Sequence, residues 1–229
     1  MMFPYLDPTI VLLIPAVLFS LWAQFKVKGA FSRYSEVRAS SGVTADQVSR
    51  VLLDRFGLSN VRVERIQGHL TDHYDPRSKV LRLSDAVTGN SSIAAIGVAA
   101  HEVGHAIQDK EGYAFLRFRN SIVPAVNIGS TMSMPLFFIG LIMGSAPLLN
   151  LGILLFCGVL VFHLVTLPVE FDASARALKL LSETGLLRGS EVGGAKAVLD
   201  AAALTYVAAL VMTVLQLIRL LALRGMRRD

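Results

Sequence analysis

From residue 120 to residue 169 the chain carries no Asp, Glu, Lys or Arg, an uncharged run too long for the core of a water-soluble domain. A helix crosses a bilayer with about 20 apolar residues, so the run has room for two crossings and a tight turn. The turn is expected at "GSAPLLNLG" (144–152), where Gly, Ser, Pro and Asn cluster. Apolar stretches at 5–25 and 201–218 supply two more candidate spans. The composition agrees: 17% of residues are charged and 53% hydrophobic, against about a quarter charged in a soluble domain. The expected fold class is therefore a mainly α integral membrane protein, with about four transmembrane helices and a small α+β cytoplasmic region.

The first apolar stretch reads as a retained anchor rather than a cleaved signal. No Lys or Arg precedes it, no small-x-small site follows it, and Lys26, Lys28, Arg33 and Arg38 come directly after. By the positive-inside tendency, residues 26–119 then face the cytoplasm, and the uncharged hairpin brings the chain back to that side. The expected organisation is an anchor at 1–25, a cytoplasmic region at 26–119, a transmembrane hairpin at 120–167, a cytoplasmic segment at 168–200 and a C-terminal helix with a basic tail at 201–229. That last helix has two readings. It crosses the membrane, which places Arg219, Arg224, Arg227 and Arg228 outside, or it lies in the interface with its arginines snorkelling. The single thiol, Cys157, cannot form an internal disulfide. The net charge of +5 comes from scattered Lys and Arg with no aromatic-interleaved patch, which fits attraction to anionic lipid and argues against nucleic acid.

Within the cytoplasmic region, Thr44 and Gln47 form a capping-box pattern ahead of apolar residues at helical spacing, which Gly57 ends. "VRVERI" from Val61 and "KVLRLS" from Lys79 alternate as strands do, and "DPRS" (75–78) favours a turn, so a small sheet is expected. Ser92 caps a second helix that begins near Ile93 and carries "AAIGVAAHEVGHAIQ".

On that helix His101 and His105, at i and i+4, share one face, and Glu102 lies about 100° around the axis. HExxH on a helix is a zinc site with a built-in base: the metal acidifies a water, Glu102 takes its proton, and peptide-bond hydrolysis follows. The bland alternative is two half-exposed histidines and a solvated glutamate. A catalytic zinc needs a third protein ligand. A metzincin would have Gly at position 108 and His at position 111, whereas this chain has Gln108 and Glu111. An intramembrane protease would place HExxH inside a long span with a later apolar-flanked Asp-Gly, which is absent. The remaining pattern draws a glutamate from a second helix, and Glu170 in "LPVEFDASARAL" is the first charged residue after the hairpin, just past Pro168, which is read as starting a helix. Asp109 would string all three ligands along one helix, Glu111 is rotated further off, and Asp172 lies about 200° from Glu170, so only one of that pair points at the metal.

"TDHYDPRSKVLRLS", "SSIAAIGVAAHEVGHAIQ", "LPVEFDASARAL" and "AALTYVAALV", in this order and spacing, resemble the YugP-like neutral zinc metallopeptidases of bacterial membranes. The likeness covers almost the whole chain. It implies a zinc metalloprotease of the bacterial inner membrane, with His101, His105 and Glu170 holding one Zn2+ per chain, Glu102 as general base, and a peptide or membrane protein as substrate. More distantly the pattern is similar to HtpX-like membrane zinc proteases, in which an Asp often follows the ligand Glu by four residues. Here that place holds Ser174, so support for a ligand imidazole is assigned to Ser174 or Asp172. His73 and Tyr74, ahead of the second strand, are candidates for stabilising the oxyanion. The competing function is a membrane scaffold or adaptor whose zinc is structural.

Overall fold

The computed structural model describes residues 8–226. After a 3-10 turn at Pro8–Leu13 come helices α1 (Ile14–Ser35) and α2 (Ala45–Arg55), strands β1 (Arg62–Ile66), β2 (His73–Asp75) and β3 (Val80–Ser84), then α3 (Ile93–Glu111), α4 (Ala114–Met143), α5 (Ala146–Glu183) and α6 (Ser190–Gly225). Four helical stretches, Pro8–Ser35, Ala114–Met143, Ala146–Glu183 and Ser190–Gly225, are long and apolar enough to cross a membrane. The chain is thus a mainly helical protein of membrane type with one small three-stranded sheet. Residues 5–7 of the expected first span, and Arg227 and Arg228 of the basic tail, lie outside the described residues.

Two compact units are present. One comprises Gln24–Arg117 and Pro168–Leu204; the other gathers 8–23, 118–167 and 205–226. In the first unit, α2 begins with the capping box: the Thr44 hydroxyl accepts from the Gln47 amide while the Gln47 side chain accepts from the Thr44 amide. Gly57, at φ 60°, takes the left-handed turn that follows the helix. The Ser92 hydroxyl caps α3 by accepting from the Ala95 amide, and Gly112 closes it in the left-handed conformation. Val48, Leu52 and Leu53 of α2, Leu81 and Leu83 of β3, Ile96, Val103 and Ile107 of α3, and Leu181 of α5 form one buried core.

The sheet order is β1-β3-β2, with β1 parallel and β2 antiparallel to β3. "DPRS" does make a turn, in which the Asp75 carboxylate accepts from the Arg77 amide and the Ser78 hydroxyl. It joins β2 to β3 rather than the two strands expected from alternation. A three-residue strand, His73–Asp75, is too short to show a period, so it passed as loop. Cross-strand partners share a face: Tyr74 sits with Leu81 on the α3 side, while His73 sits with Arg82 on the opposite side.

Two expected breaks do not occur. Pro168 does not begin a helix; it lies inside α5, which runs unbroken from Ala146 to Glu183. An internal proline loses one backbone hydrogen bond, whereas ending and restarting a helix would orphan several carbonyls and amides, so continuity costs less. The turn in the uncharged run is confined to Gly144 and Ser145, and Asn150 and Gly152 lie within α5. Pro147 falls in the first turn of α5, where its missing amide has no partner to lose. Gly152 instead permits close packing: a Cβ there would come within 2.8 Å of the Phe137 amide nitrogen on α4. In this second unit Phe137, Leu149, Ile153, Phe156 and Leu220 form a buried cluster, while Ile142 and Leu154 stay exposed. The C-terminal apolar stretch is the continuation of α6, which begins at Ser190, and Arg219 in it donates to the Thr9 hydroxyl.

Glycines also set how closely α3 approaches its neighbours. A Cβ at Gly104 would stand 2.6 Å from the carbonyl oxygen of Ala173 on α5, whereas one at Gly97 would meet the Ala195 Cβ of α6 at 3.3 Å. Backbone cannot swing aside as a side chain does, so Gly104→Ala is expected to destabilise by about 1–3 kcal/mol and Gly97→Ala by less. Thermal denaturation in detergent of both variants checks this; equal midpoints for Gly104→Ala and the parent would show that the contact is dispensable.

Candidate metal centre

Three side chains converge where α3 meets α5. Nε2 of His101 lies 3.2 Å from Oε2 of Glu170, and Nε2 of His105 lies 3.6 Å from the same oxygen. The ligand-type atoms of all three residues fall within 4.8 Å of one another. Zinc bonds of about 2.0–2.2 Å in tetrahedral geometry place ligand atoms about 3.3–3.6 Å apart, close to the two distances from Glu170 to the imidazoles. The two nitrogens and one carboxylate oxygen are donors that zinc favours. Among the described residues no other His, Cys, Asp or Glu joins the group, which leaves a fourth position open.

Glu102 lies beside this trio, 8% exposed, and among the described residues its carboxylate has no hydrogen-bond partner. Its oxygens are not sealed from solvent, so the carboxylate is open to a water or a cation at the site. The electrostatics point the same way. Burial alone would push the His105 imidazole down, but its hydrogen bond to Glu170 and the carboxylates of Glu102 and Glu170 outweigh this and hold it above its ordinary value. The pocket thus favours a positive charge.

Each imidazole is oriented by its other nitrogen. Nδ1 of His101 lies 3.1 Å from the Ser174 hydroxyl oxygen, on α5 one turn beyond Glu170. Nδ1 of His105 lies 2.9 Å from Oε1 of Gln108. The amide of Gln108 is fully buried, and its nitrogen donates to the Val169 carbonyl and to the Asp172 carboxylate, both at 2.8 Å. Those two acceptors fix which end of the amide is oxygen, so Oε1 must accept from His105. The Nδ1–H tautomer follows, and the Nε2 lone pair is turned toward Glu170 and the open position. Asp172 is held in turn by Arg176, whose guanidinium also pairs with Glu111.

Gln108 was visible in the sequence only as a mismatch to the metzincin pattern; its sign as a functional residue is its place three residues after the second histidine, one turn on along the same face. Asp172 faces Gln108 rather than the trio, and Ser174 faces His101. The acids weighed against Glu170 are each occupied: Asp109 accepts from the Tyr74 hydroxyl and from Lys79, and Glu111 pairs with Arg176. Burial and the Asp109 carboxylate push the Tyr74 phenol up, so it stays a hydrogen-bond donor committed to Asp109. His73, across the sheet, has Nδ1 at 2.9 Å from the Thr71 carbonyl and Nε2 at 3.3 Å from the Arg82 guanidinium.

Residues 9–225 match the family described as "Putative neutral zinc metallopeptidase". The chain belongs to this family. A Bacillus subtilis (strain 168) protein described as "Putative membrane protease YugP" is 50% identical over 210 residues, which cover 92% of this chain and 93% of that protein. No solved structure matches the chain. Membership in a YugP-like zinc metallopeptidase family gives the trio of this family member a metal to expect, and its donor set and spacing fit that metal.

Replacing Gln108 with Leu keeps a side chain of similar size but removes the acceptor for His105. Zinc affinity, measured by competition with a chromogenic chelator, should fall by roughly tenfold to a hundredfold. Gln108→Leu binding zinc like the parent would exclude the orienting role.

Proposed function

We propose that this protein is a zinc-dependent endopeptidase of a bacterial cell membrane, cutting peptides or membrane proteins at the cytoplasmic surface. The observation that carries this reading is the convergence of His101, His105 and Glu170 beside the carboxylate of Glu102, which no side chain or backbone group among the described residues engages by a hydrogen bond. In this reading the trio holds one zinc ion, with a glutamate as third ligand, and Glu102 is the general base. Zinc supplies Lewis acidity there, polarising the scissile carbonyl and bringing the pKa of a water to about 7.

The chain's own residues do the rest. Glu102 removes the proton from the attacking water and delivers it to the departing amine, the two proton transfers that peptide hydrolysis needs. Ser174 and Gln108 keep the imidazoles from rotating, so the electrophilic centre stays fixed relative to Glu102. The core beneath α3, packed from Ile96, Val103 and Ile107, holds the helix that carries the base. A membrane scaffold with a structural zinc is disfavoured because a closed structural site uses four protein ligands and this group offers three.

Orientation rests on charge and connectivity. Lys26, Lys28, Arg33 and Arg38 follow the first span, which assigns 24–117 to the cytoplasm, and two further crossings return 168–204 to the same side. A cysteine introduced as Ser78→Cys, in a Cys157→Ser background, should resist an impermeant thiol reagent in intact cells and react once the membrane is opened. Labelling in intact cells would invert the orientation.

The mechanism is tested on two variants. Glu102→Gln should retain about one zinc per chain by metal analysis and lose cleavage of an unfolded test protein, while Glu170→Ala should lose the metal as well. Activity of Glu102→Gln equal to the parent would exclude the mechanism, and full zinc content in Glu170→Ala would remove Glu170 from the ligand set.

A further inference from the structure

Away from the trio, the first unit contains a cleft of about 560 Å³ whose wall includes Lys28, Phe31 and Ser32 of α1, Glu36 just past its end, and His69 and Leu70 of the loop between β1 and β2. Asn90, on its far wall, is eleven residues before His101 and two before the start of α3 at its Ser92 cap, which places the cleft roughly 13 Å or more along α3 from the metal centre.

The loop over this cleft is built at a cost. Leu70 takes φ 56°, a left-handed conformation that non-glycine residues rarely hold, and its side chain is 41% exposed. Gly68, at φ 116°, makes the preceding bend, and its amide is tied to the Asp85 carboxylate, which Arg65 also holds. A backbone held in an unfavourable region so as to present an apolar side chain to water is the kind of strain that marks ligand sites.

The polar groups are arranged with equal economy. Lys28 and Ser32 stand at i and i+4 on α1, one turn apart, and Glu36 follows directly after the helix ends at Ser35. Among the described residues neither Lys28 nor Glu36 has an ion-pair partner. The wall therefore carries a cation at Lys28 and an anion at Glu36, and the His69 imidazole, Phe31 and Leu70 line it as well. Lys28 follows the exposed aromatics Trp22 and Phe25 by one to two turns of the same helix. That order, aromatic belt and then lysine, is how a spanning helix leaves the hydrocarbon and enters the layer of lipid phosphates. The cationic end of the cleft is thus the end nearest the bilayer.

We propose that this cleft is a headgroup site for an amine-bearing phospholipid of the ethanolamine type. The phosphate is held by Lys28, His69 and Ser32, the ammonium reaches along the wall to Glu36 just past the end of α1, and Leu70 and Phe31 cover the methylene carbons. The acyl chains run back toward the hydrocarbon alongside α1. A headgroup with phosphate alone would leave Glu36 facing an anion or nothing, and a trimethylated amine would lose the hydrogen bonds that a carboxylate accepts from a primary ammonium.

The test uses the full chain with Leu70 replaced by the photo-cross-linker p-benzoylphenylalanine, reconstituted in phosphatidylcholine vesicles containing equal minor fractions of phosphatidylethanolamine and phosphatidylglycerol. Mass spectrometry after illumination should show a phosphatidylethanolamine adduct enriched several-fold over both other lipids. Glu36→Gln should bring ethanolamine lipid down to the level of the glycerol lipid, and Lys28→Gln should reduce both, with zinc content unchanged in each variant as the control for folding. Adducts that follow bulk lipid composition in the parent would reduce the site to annular lipid and overturn the proposal. So would loss of the adduct on adding soluble phosphoethanolamine at a concentration well below that of the ethanolamine lipid, which would make the ligand a free metabolite, or a polypeptide adduct when an unfolded protein is supplied, which would make the cleft part of a substrate channel.

Discussion

The metal centre depends on one close contact, the backbone approach of α3 to α5 at Gly104 and Ala173. The ligands come from two helices, and no adjustment of rotamers could bring Glu170 to His101 and His105 if those helices stood at ordinary side-chain separation. Glycine at 104 removes the Cβ that would otherwise sit 2.6 Å from the Ala173 carbonyl oxygen. The HExxH motif therefore contains two kinds of information: residues that face the metal, and a small residue on the neighbouring face that lets the third ligand arrive. Residues 170, 173 and 174 of α5 are spaced at three and four, so Glu170 and Ser174 both reach toward His101 while Ala173 takes the contact between them.

Around that contact the charges are organised in two separate groups. At the C-terminal end of α3, Asp109 is taken by Tyr74 and Lys79, which joins the sheet to the helix. On the α5 side, Arg176 bridges Glu111 and Asp172, and Asp172 passes its influence through the amide of Gln108 to His105. Both groups neutralise carboxylates near the trio without placing a cation in it. Glu170, which both imidazoles approach, and Glu102 remain as carboxylates at the trio itself, and their charge holds the His105 imidazole above its ordinary value, so the site favours a cation.

Much of this was legible in the sequence, because the signals are local or compositional. The uncharged run marked the membrane hairpin, Thr44 with Gln47 and Ser92 marked helix starts, and the i, i+4 histidines defined the face of α3. Glu170 followed from reach, since it is the first charged residue after the hairpin. The readings that differ involve balances between competing costs. Pro168 and the residues around Pro147 look like breaks when read one at a time, but in place each costs less than the orphaned backbone groups of a helix end. β2 exists because β3 offers it an edge, and three residues carry no period of their own. Gln108 is an uncharged residue whose importance comes from Val169 and Asp172, more than sixty positions away, fixing the direction of its amide.

The same balance explains why a polar centre of this kind is stable inside so apolar a chain. Glu170 is 4% exposed, and a carboxylate at that depth would carry a large desolvation cost if left unanswered, while Glu102 adds a second negative charge beside it. Protonating an imidazole answers part of it, which is the sense of the raised His105 value, but a proton on Nε2 occupies the very lone pair that points at the open position. A divalent cation answers the charge of both acids at once and uses the lone pairs that the Gln108 and Ser174 hydrogen bonds have already aimed. Because a bound ion would favour the folded arrangement of α3 against α5 over any separated one, it and the Gly104 contact would stabilise each other: the contact brings the three side chains together, and the ion would hold the two helices at the spacing the glycine allows.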